Sequence, residues 1–396
     1  MSSETDRVGA VPQASADEAR PSARPTSLHA WFDPRSNGGH VLYLLFSISI
    51  VLSHDILIGG FDPSLRTSWS NGMTTIGGPG LAGFFVLGGF LVARSAQRAH
   101  SLPGYVRARA LRIFPPLLSA LVVTAAVFAP IAWLLQEGTI NGFPLGGANG
   151  AGRYVLENAG LAARQYAIGY TLEDNPYPYA WNGSLWTIYP QFLCYIAAGF
   201  LIRAGRRWMA PLTAVALYVA MAVQRVGLVE TPVVPPAVDK VTWANALLMP
   251  SHLHLMYLFF LGASLYLYRE RVPTNWPVFA FATAGLAAAY VFDACMLVGS
   301  TAWGVLAVVL MARVRLRLPR PVQGLSYGVY LTAFPVAQLY ALAGVADLGY
   351  AAFAVASLAS ALLLAYVIKR GIEEPVQRYV RRSVPVAPPA LPTAST

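Results

Sequence analysis

SNGGHVLYLLFSISIVLSH, residues 36 to 54, contains no Asp, Glu, Lys or Arg. A helix of that length rises roughly 30 Å, the thickness of a bilayer's hydrocarbon core. Nine more windows of the same kind follow, near residues 71–93, 113–135, 183–202, 208–224, 252–268, 275–292, 294–312, 325–346 and 348–368. The seventh and eighth are divided by little more than Asp293, which leaves either a tight helical hairpin or one long broken helix. The expected fold is all-α: a polytopic membrane protein of about ten transmembrane helices.

Composition excludes a water-soluble domain. Of 396 residues, 56% are hydrophobic and 12% charged, against about a quarter charged in soluble domains. The net charge of +10 would suit a nucleic-acid partner, but the basic residues sit in short clusters between apolar runs. They read as topology signals for a protein whose partner is the lipid bilayer, with no nucleic acid involved. Lys and Arg are retained on the cytoplasmic side, and alternate connections here hold 23 of the 28 basic residues if both termini are cytosolic; Arg66, Arg153, Arg164, Arg225 and Lys240 remain for the outside. A multi-pass protein of the cell's inner membrane follows.

Residues 1–35 mix Ser, Ala, Pro and charged residues, lack the apolar core of a signal peptide and read as a disordered cytosolic tail. Residues 36–382 form the membrane domain, and 383–396 a disordered Pro/Ala-rich tail. Cys194 and Cys295 both fall in apolar stretches, as buried thiols do, and form neither a disulfide framework nor a zinc set. His252 and His254, two apart, do not share a helix face; no metal site is expected. The longest outer connection, 136–182, ends in the aromatic run YPYAW.

Ionisable groups at membrane depth are functional candidates by default. His54 and Asp55 interrupt the first window. A histidine there is either a packing hydrogen-bonder or a catalyst, and adjacent helical residues point in different directions, so Asp55 is not an obvious orienting partner for His54. In YVRARALRIFP, 105–115, Arg109 and Arg112 share a helix face. They either grip phosphate or anchor the helix at lipid headgroups. The six glycines of GGPGLAGFFVLGGFLVARS, 77–95, lack the ending of a phosphate loop and fit close helix packing. Asn182-Gly183-Ser184 spells a glycosylation sequon, a weak signal.

Several strings, in order, resemble the acyltransferase-3 family of membrane O-acyltransferases over residues 38 to 382: SHD (53–55), GLAGFFVLGGFLVARS (80–95), RALRIFP (109–115), NGSLWTIYPQFLCY (182–195), LFFLGASLYLY (258–268), LSYGVYLTAFPV (325–336) and IEEPVQRYVRR (372–382). The resemblance implies acyl transfer, most commonly of acetyl, from cytosolic acyl-CoA to a hydroxyl of a carbohydrate or lipid-linked glycan acceptor at the outer face. Acyl-CoA would be a substrate, with no permanently bound cofactor. By position, His54 matches the essential histidine, and Arg109 and Arg112 match an Arg-x-x-Arg motif serving the acyl donor. Trp181, Ser184, Trp186 and Gln191 fall in or beside the segment expected to border the acceptor, with Tyr177 and Tyr179; an interfacial aromatic belt would need the same rings. Gln191 stands where the family usually has Glu, Ala333 where many members have His, and Gly88 where Ser is common.

His54 would act either as general base on the acceptor hydroxyl or as a nucleophile acylated in passing. Two other readings compete. A secondary transporter also suits ten helices and a midplane histidine, but it predicts related halves, which residues 36–202 and 208–368 do not show. A catalytically inactive relative that binds or exports a glycan would fit Gln191 and Ala333.

Overall fold

The computed structural model describes residues 27–228 and 249–382. The tail expected at 383–396, and residues 1–26 of the one expected at 1–35, lie outside the described residues. Residues 27–35 are packed: Leu28 is buried and its N–H donates to Val272 O (2.8 Å), so the folded chain begins ahead of residue 36.

Among the described residues each apolar window coincides with a helix. These are α1 (Gly39–Ile58), α2 (Gly77–Arg98), and α3 (Leu102–Val123), which runs through a π turn at Thr124–Phe128 into α4 (Ala129–Glu137). After α5 (Ala151–Ala159) in the long loop come α6 (Ile188–Arg203), α7 (Met209–Arg225), α8 (Pro250–Leu267), α9 (Trp276–Val291), α10 (Ser300–Arg313), α11 (Ser326–Leu342), α12 (Tyr350–Ile368) and α13 (Glu374–Arg382). Among the described residues six helical stretches are long and apolar enough to cross a membrane: Gly39–Ile58, Gly77–Arg98, Leu102–Glu137, Leu185–Arg203, Cys295–Arg313 and Tyr350–Tyr379. Side chains such as Leu45, Val122, Leu212, Phe281 and Leu363 stand exposed around the outside, an apolar girdle suited to lipid and not to water.

Helix α2 lies at the centre, against α1, α6, α8 and α10. Glycine makes this possible. A Cβ at Gly89 would fall on the carbonyl of Phe259, and one at Gly262 on the carbonyl of Val86, so α2 and α8 cross backbone to backbone. At the α9/α10 boundary the chain reverses through Asp293 (φ 50°) and α9 packs on α10, which makes this pair a hairpin and not one broken helix. The π turn ahead of α4 has a local cause. Pro130 has no N–H and its ring would crowd the carbonyl of Ala126, and a wider turn relieves both.

The arginine-rich connections gather at one end of the bundle. Arg203 reaches the carbonyls of Ala99 and His100, Arg269 donates to His29 Nδ1 (3.2 Å), Arg315 holds Trp31 O (2.8 Å), and Lys369 donates to Pro321 O (3.4 Å). At the other end the long connection is a folded element. Asn158 binds Tyr154 O and Gln165 O, and Gln165 binds Gly150 O and Ala167 O, so side-chain amides replace the missing helix or sheet partners of the backbone.

The loop is fastened to α11 by a consequence of proline chemistry. Pro335 cannot donate to Leu331 O one turn back, and that freed carbonyl accepts Asn182 Nδ2 (2.8 Å). Asn182 Oδ1 in turn accepts the N–H (3.2 Å) and Oγ–H (2.6 Å) of Ser184. Asn182 is therefore buried with both ends of its amide engaged, which leaves the sequon no room for a glycan.

Candidate active site

A cavity of about 710 Å3 opens among α1, α2, α3, α6 and α11 at the arginine-rich end. Arg35, Arg94, Arg98, Arg109, Arg112 and Arg317 line it, with no aspartate or glutamate among its lining residues. Helix geometry explains the convergence. Arg94 and Arg98 are one turn apart on α2, Arg109 and Arg112 one turn apart on α3, and the two helices are joined by a short turn capped by Ser101, whose Oγ accepts Gly104 N–H (3.1 Å). The Nε–H groups of Arg94 and Arg109 are buried with no hydrogen-bond partner among the described residues. A buried charged donor left in this state is costly; an anion with several acceptor oxygens would satisfy it.

Toward the membrane interior the cavity narrows onto polar side chains of α6 and α11. Gln191 Nε2 donates to Tyr195 Oη (3.1 Å), and both residues line the wall. Tyr330 closes the floor: its hydroxyl lies 2.6 Å from Thr187 Oγ1 and donates to Ser184 O (3.0 Å). One turn beyond Tyr330 on α11, Phe334 meets the ring of His54 edge-on, with centroids 5.2 Å apart, and Tyr177 packs on the same phenylalanine at 5.7 Å.

His54 is half-buried and its imidazole has no hydrogen-bond partner among the described residues, which leaves both nitrogens open to a substrate. Asp55 points elsewhere. It is buried, and its Oδ1 accepts Ser357 Oγ–H (3.0 Å) from α12, so it does not orient His54.

A model of the acyltransferase domain matches residues 42–370. The chain belongs to the acyltransferase-3 family. It is an acyltransferase of the class that moves groups other than aminoacyl groups. Among curated proteins it is 23% identical over 365 residues to an "O-acetyl transferase" of Shigella phage Sf6, covering 89% of this chain and 98% of that relative. It is 29% identical over 279 residues to "Nodulation protein 10" of Rhizobium leguminosarum bv. viciae, covering 64% and 70%. No solved structure matches the chain.

Within this acyltransferase the structure brings Arg109, Arg112 and Gln191 into one cavity, and sets His54 one helical turn past its floor. Ser184 belongs to the floor itself, through its carbonyl. Trp181 is fully buried in the folded loop, with its indole N–H donated to Thr171 Oγ1 (2.9 Å), and Trp186 lies over His252 with centroids 5.3 Å apart. Neither tryptophan lines the cavity. Tyr179 is exposed and donates to Glu173 Oε2 (3.3 Å).

The family departures sit in unlike places. Gly88 lines the cavity with open space before it, since an added Cβ would meet only Tyr43 Oη at 3.9 Å. Ala333 is buried between α1 and α12 beside Val51 and Ala361, away from the arginines. Arg94, Thr187 and Tyr330 were not singled out by sequence reasoning. Arg94 gives the same signal as any basic residue at a helix end, and only the packing of α2 against its neighbours turns it inward.

Proposed function

We propose that the enzyme takes acyl-CoA into the arginine-lined cavity from the cytosol and moves its acyl group, acetyl in the favoured case, to a hydroxyl of a glycan or lipid-linked glycan at the outer face. The observation that carries this reading is the cavity: six arginines without an acid, two of them with buried unpartnered N–H groups, suit a ligand bearing several phosphates. The "O-acetyl transferase" name of the phage relative supports acetyl and an oxygen acceptor.

The reading includes ten crossings of the inner membrane with both termini cytosolic, supported by the gathering of basic connections at one end. From His40 at the cavity mouth to His54 is fourteen residues of α1, about 21 Å. A donor with its phosphates at Arg94, Arg109 and Arg112 bridges that span with the pantetheine arm, past Tyr330. In one route His54 accepts the proton of the acceptor hydroxyl while the oxygen attacks the thioester carbonyl; the carbon–sulfur bond breaks and the thiolate takes that proton. In the other, an imidazole nitrogen of His54 takes the acyl group first, coenzyme A leaves as the thiol, and the hydroxyl then attacks the acyl-imidazole.

Purified protein incubated with labelled acetyl-CoA and a glycan acceptor tests the reading. Label in the glycan, and free thiol released in step with it, is the expected result; thiol release that never depends on protein would overturn it. The topology is tested separately by a cysteine placed at Asn149, expected to react with a membrane-impermeant reagent from outside intact cells.

A further inference from the structure

Helix α1 ends at Ile58, and the chain turns back along its outer end through Gly60 (φ 69°) and the short helical turn Ser64–Thr67. Arg66 sits in that turn with its backbone fixed: its carbonyl accepts Ile76 N–H (2.9 Å) and its own N–H donates to Pro63 O (3.0 Å). Its half-buried side chain folds back onto α1, where Nε donates to Ser53 Oγ (3.4 Å), the residue before His54.

This guanidinium has no carboxylate within ion-pair distance among the described residues. Asp62, the acid nearest in sequence, accepts the N–H (2.9 Å) and Oγ–H (2.7 Å) of Ser64, which hold its carboxyl below the usual carboxylate range. Asp55 faces α12. A guanidinium drawn partly out of water beside a reactive histidine calls for an anion, and its planar fork matches a carboxylate or a phosphate. The acyl donor does not supply one, because its phosphates belong to the cavity at the opposite end of α1.

We infer that Arg66 determines acceptor specificity: it receives an anionic group, carboxylate or phosphate, that the acceptor carries near the hydroxyl presented to His54. The inference rests on the acyl-transfer reading and names the acceptor's chemical class. A sugar with a carboxylate or phosphate then binds by its charge and is acylated at a neighbouring oxygen, while a neutral sugar binds by its ring alone.

Methyl glucuronide and methyl glucoside, which differ only at C6, a carboxylate in the one and a hydroxymethyl in the other, are the probes. With acetyl-CoA as donor, the ratio of kcat/KM for the charged over the neutral glycoside is expected to fall about 10- to 100-fold in Arg66→Ala, and less in Arg66→Lys. Equal losses on both glycosides would overturn the inference and leave Arg66 a group serving the chemistry or a phospholipid headgroup. A binding measurement separates this from the acyl-transfer reading itself. In His54→Gln protein in detergent, Trp69, exposed three residues from Arg66, reports by fluorescence. Saturable quenching by the glucuronide, absent with the glucoside and lost when Arg66→Ala is added, is expected; identical responses to both would overturn the inference even if no acceptor turns over. Failure of the wild type to acylate any acceptor would instead count against the acyl-transfer reading.

Discussion

On the proposed function, His54 and the cavity arginines would do different work and should fail differently. His54→Gln keeps a hydrogen-bonding side chain but cannot take a proton or an acyl group, so transfer should fall about 100- to 10,000-fold while helix content and membrane insertion stay at wild-type levels. Radiolabel transfer by the Gln variant, compared at equal amounts of inserted protein, checks this. The arginines, in the same proposal, would act on binding. Arg94→Ala or Arg109→Ala removes a half-buried guanidinium whose Nε–H is otherwise unpartnered among the described residues, and the Michaelis constant for acetyl-CoA should rise about tenfold or more. Steady-state kinetics with varied donor decides it, and an unchanged constant would reduce Arg94 to a topology anchor. Of this candidate site, His54, Arg109 and Arg112 were singled out in the sequence, as an ionisable group inside an apolar window and an i, i+3 pair, and the family resemblance rather than the pattern gave them their expected roles. Arg94 and Tyr330 were not. Their roles come from α2 and α11 facing α3 and α6, and no local pattern records which helix faces which.

At the scale of elements, two contacts hold the site in shape. The α2–α8 crossing depends on Gly89 and Gly262, where any side chain would displace a carbonyl of the facing helix. Gly89→Leu or Gly262→Val should leave the separate helices inserted but lose the packed bundle, seen as poor yield in mild detergent and a lowered Tm; Gly88→Ser, one residue away in open space, is the matched control. The second contact is the one between the loop and α11. Asn182→Ala strips Leu331 O and the Ser184 N–H of their partners at once, a cost of about 1–3 kcal/mol for each buried group left unpaired. Thermal unfolding followed by circular dichroism measures it, and the floor built on Ser184 O should loosen with it. The helices themselves could be read from sequence because hydrocarbon forces every backbone group to bond within its own segment. The folded loop could not: Asn158, Gln165 and Thr171 look like ordinary loop residues, and the bonds that tie Asn158 to Gln165 O, Gln165 to Gly150 O and Trp181 to Thr171 close over distances that the sequence does not display.

On the scale of the whole molecule, the two ends of the bundle are chemically unlike. One end is a basic cavity and the other a folded, hydrogen-bonded cap, and between them Tyr330 and Thr187 meet at 2.6 Å. A protein that passed an acetyl group from one side to the other, as proposed, would have to stay tight to everything smaller, protons above all, or it would discharge the gradient of the membrane that houses it. The Tyr330 contact can therefore be understood as insulation. In the proposed reaction a thioester tip would push the phenol aside and fill the gap it opens, so that the path would be plugged by tyrosine when empty and by pantetheine when loaded. Tyr330→Ala removes the first plug and not the second. Proteoliposomes carrying it should conduct protons down an imposed pH difference, as read by an internal pH-sensitive dye, and saturating coenzyme A should quiet that leak.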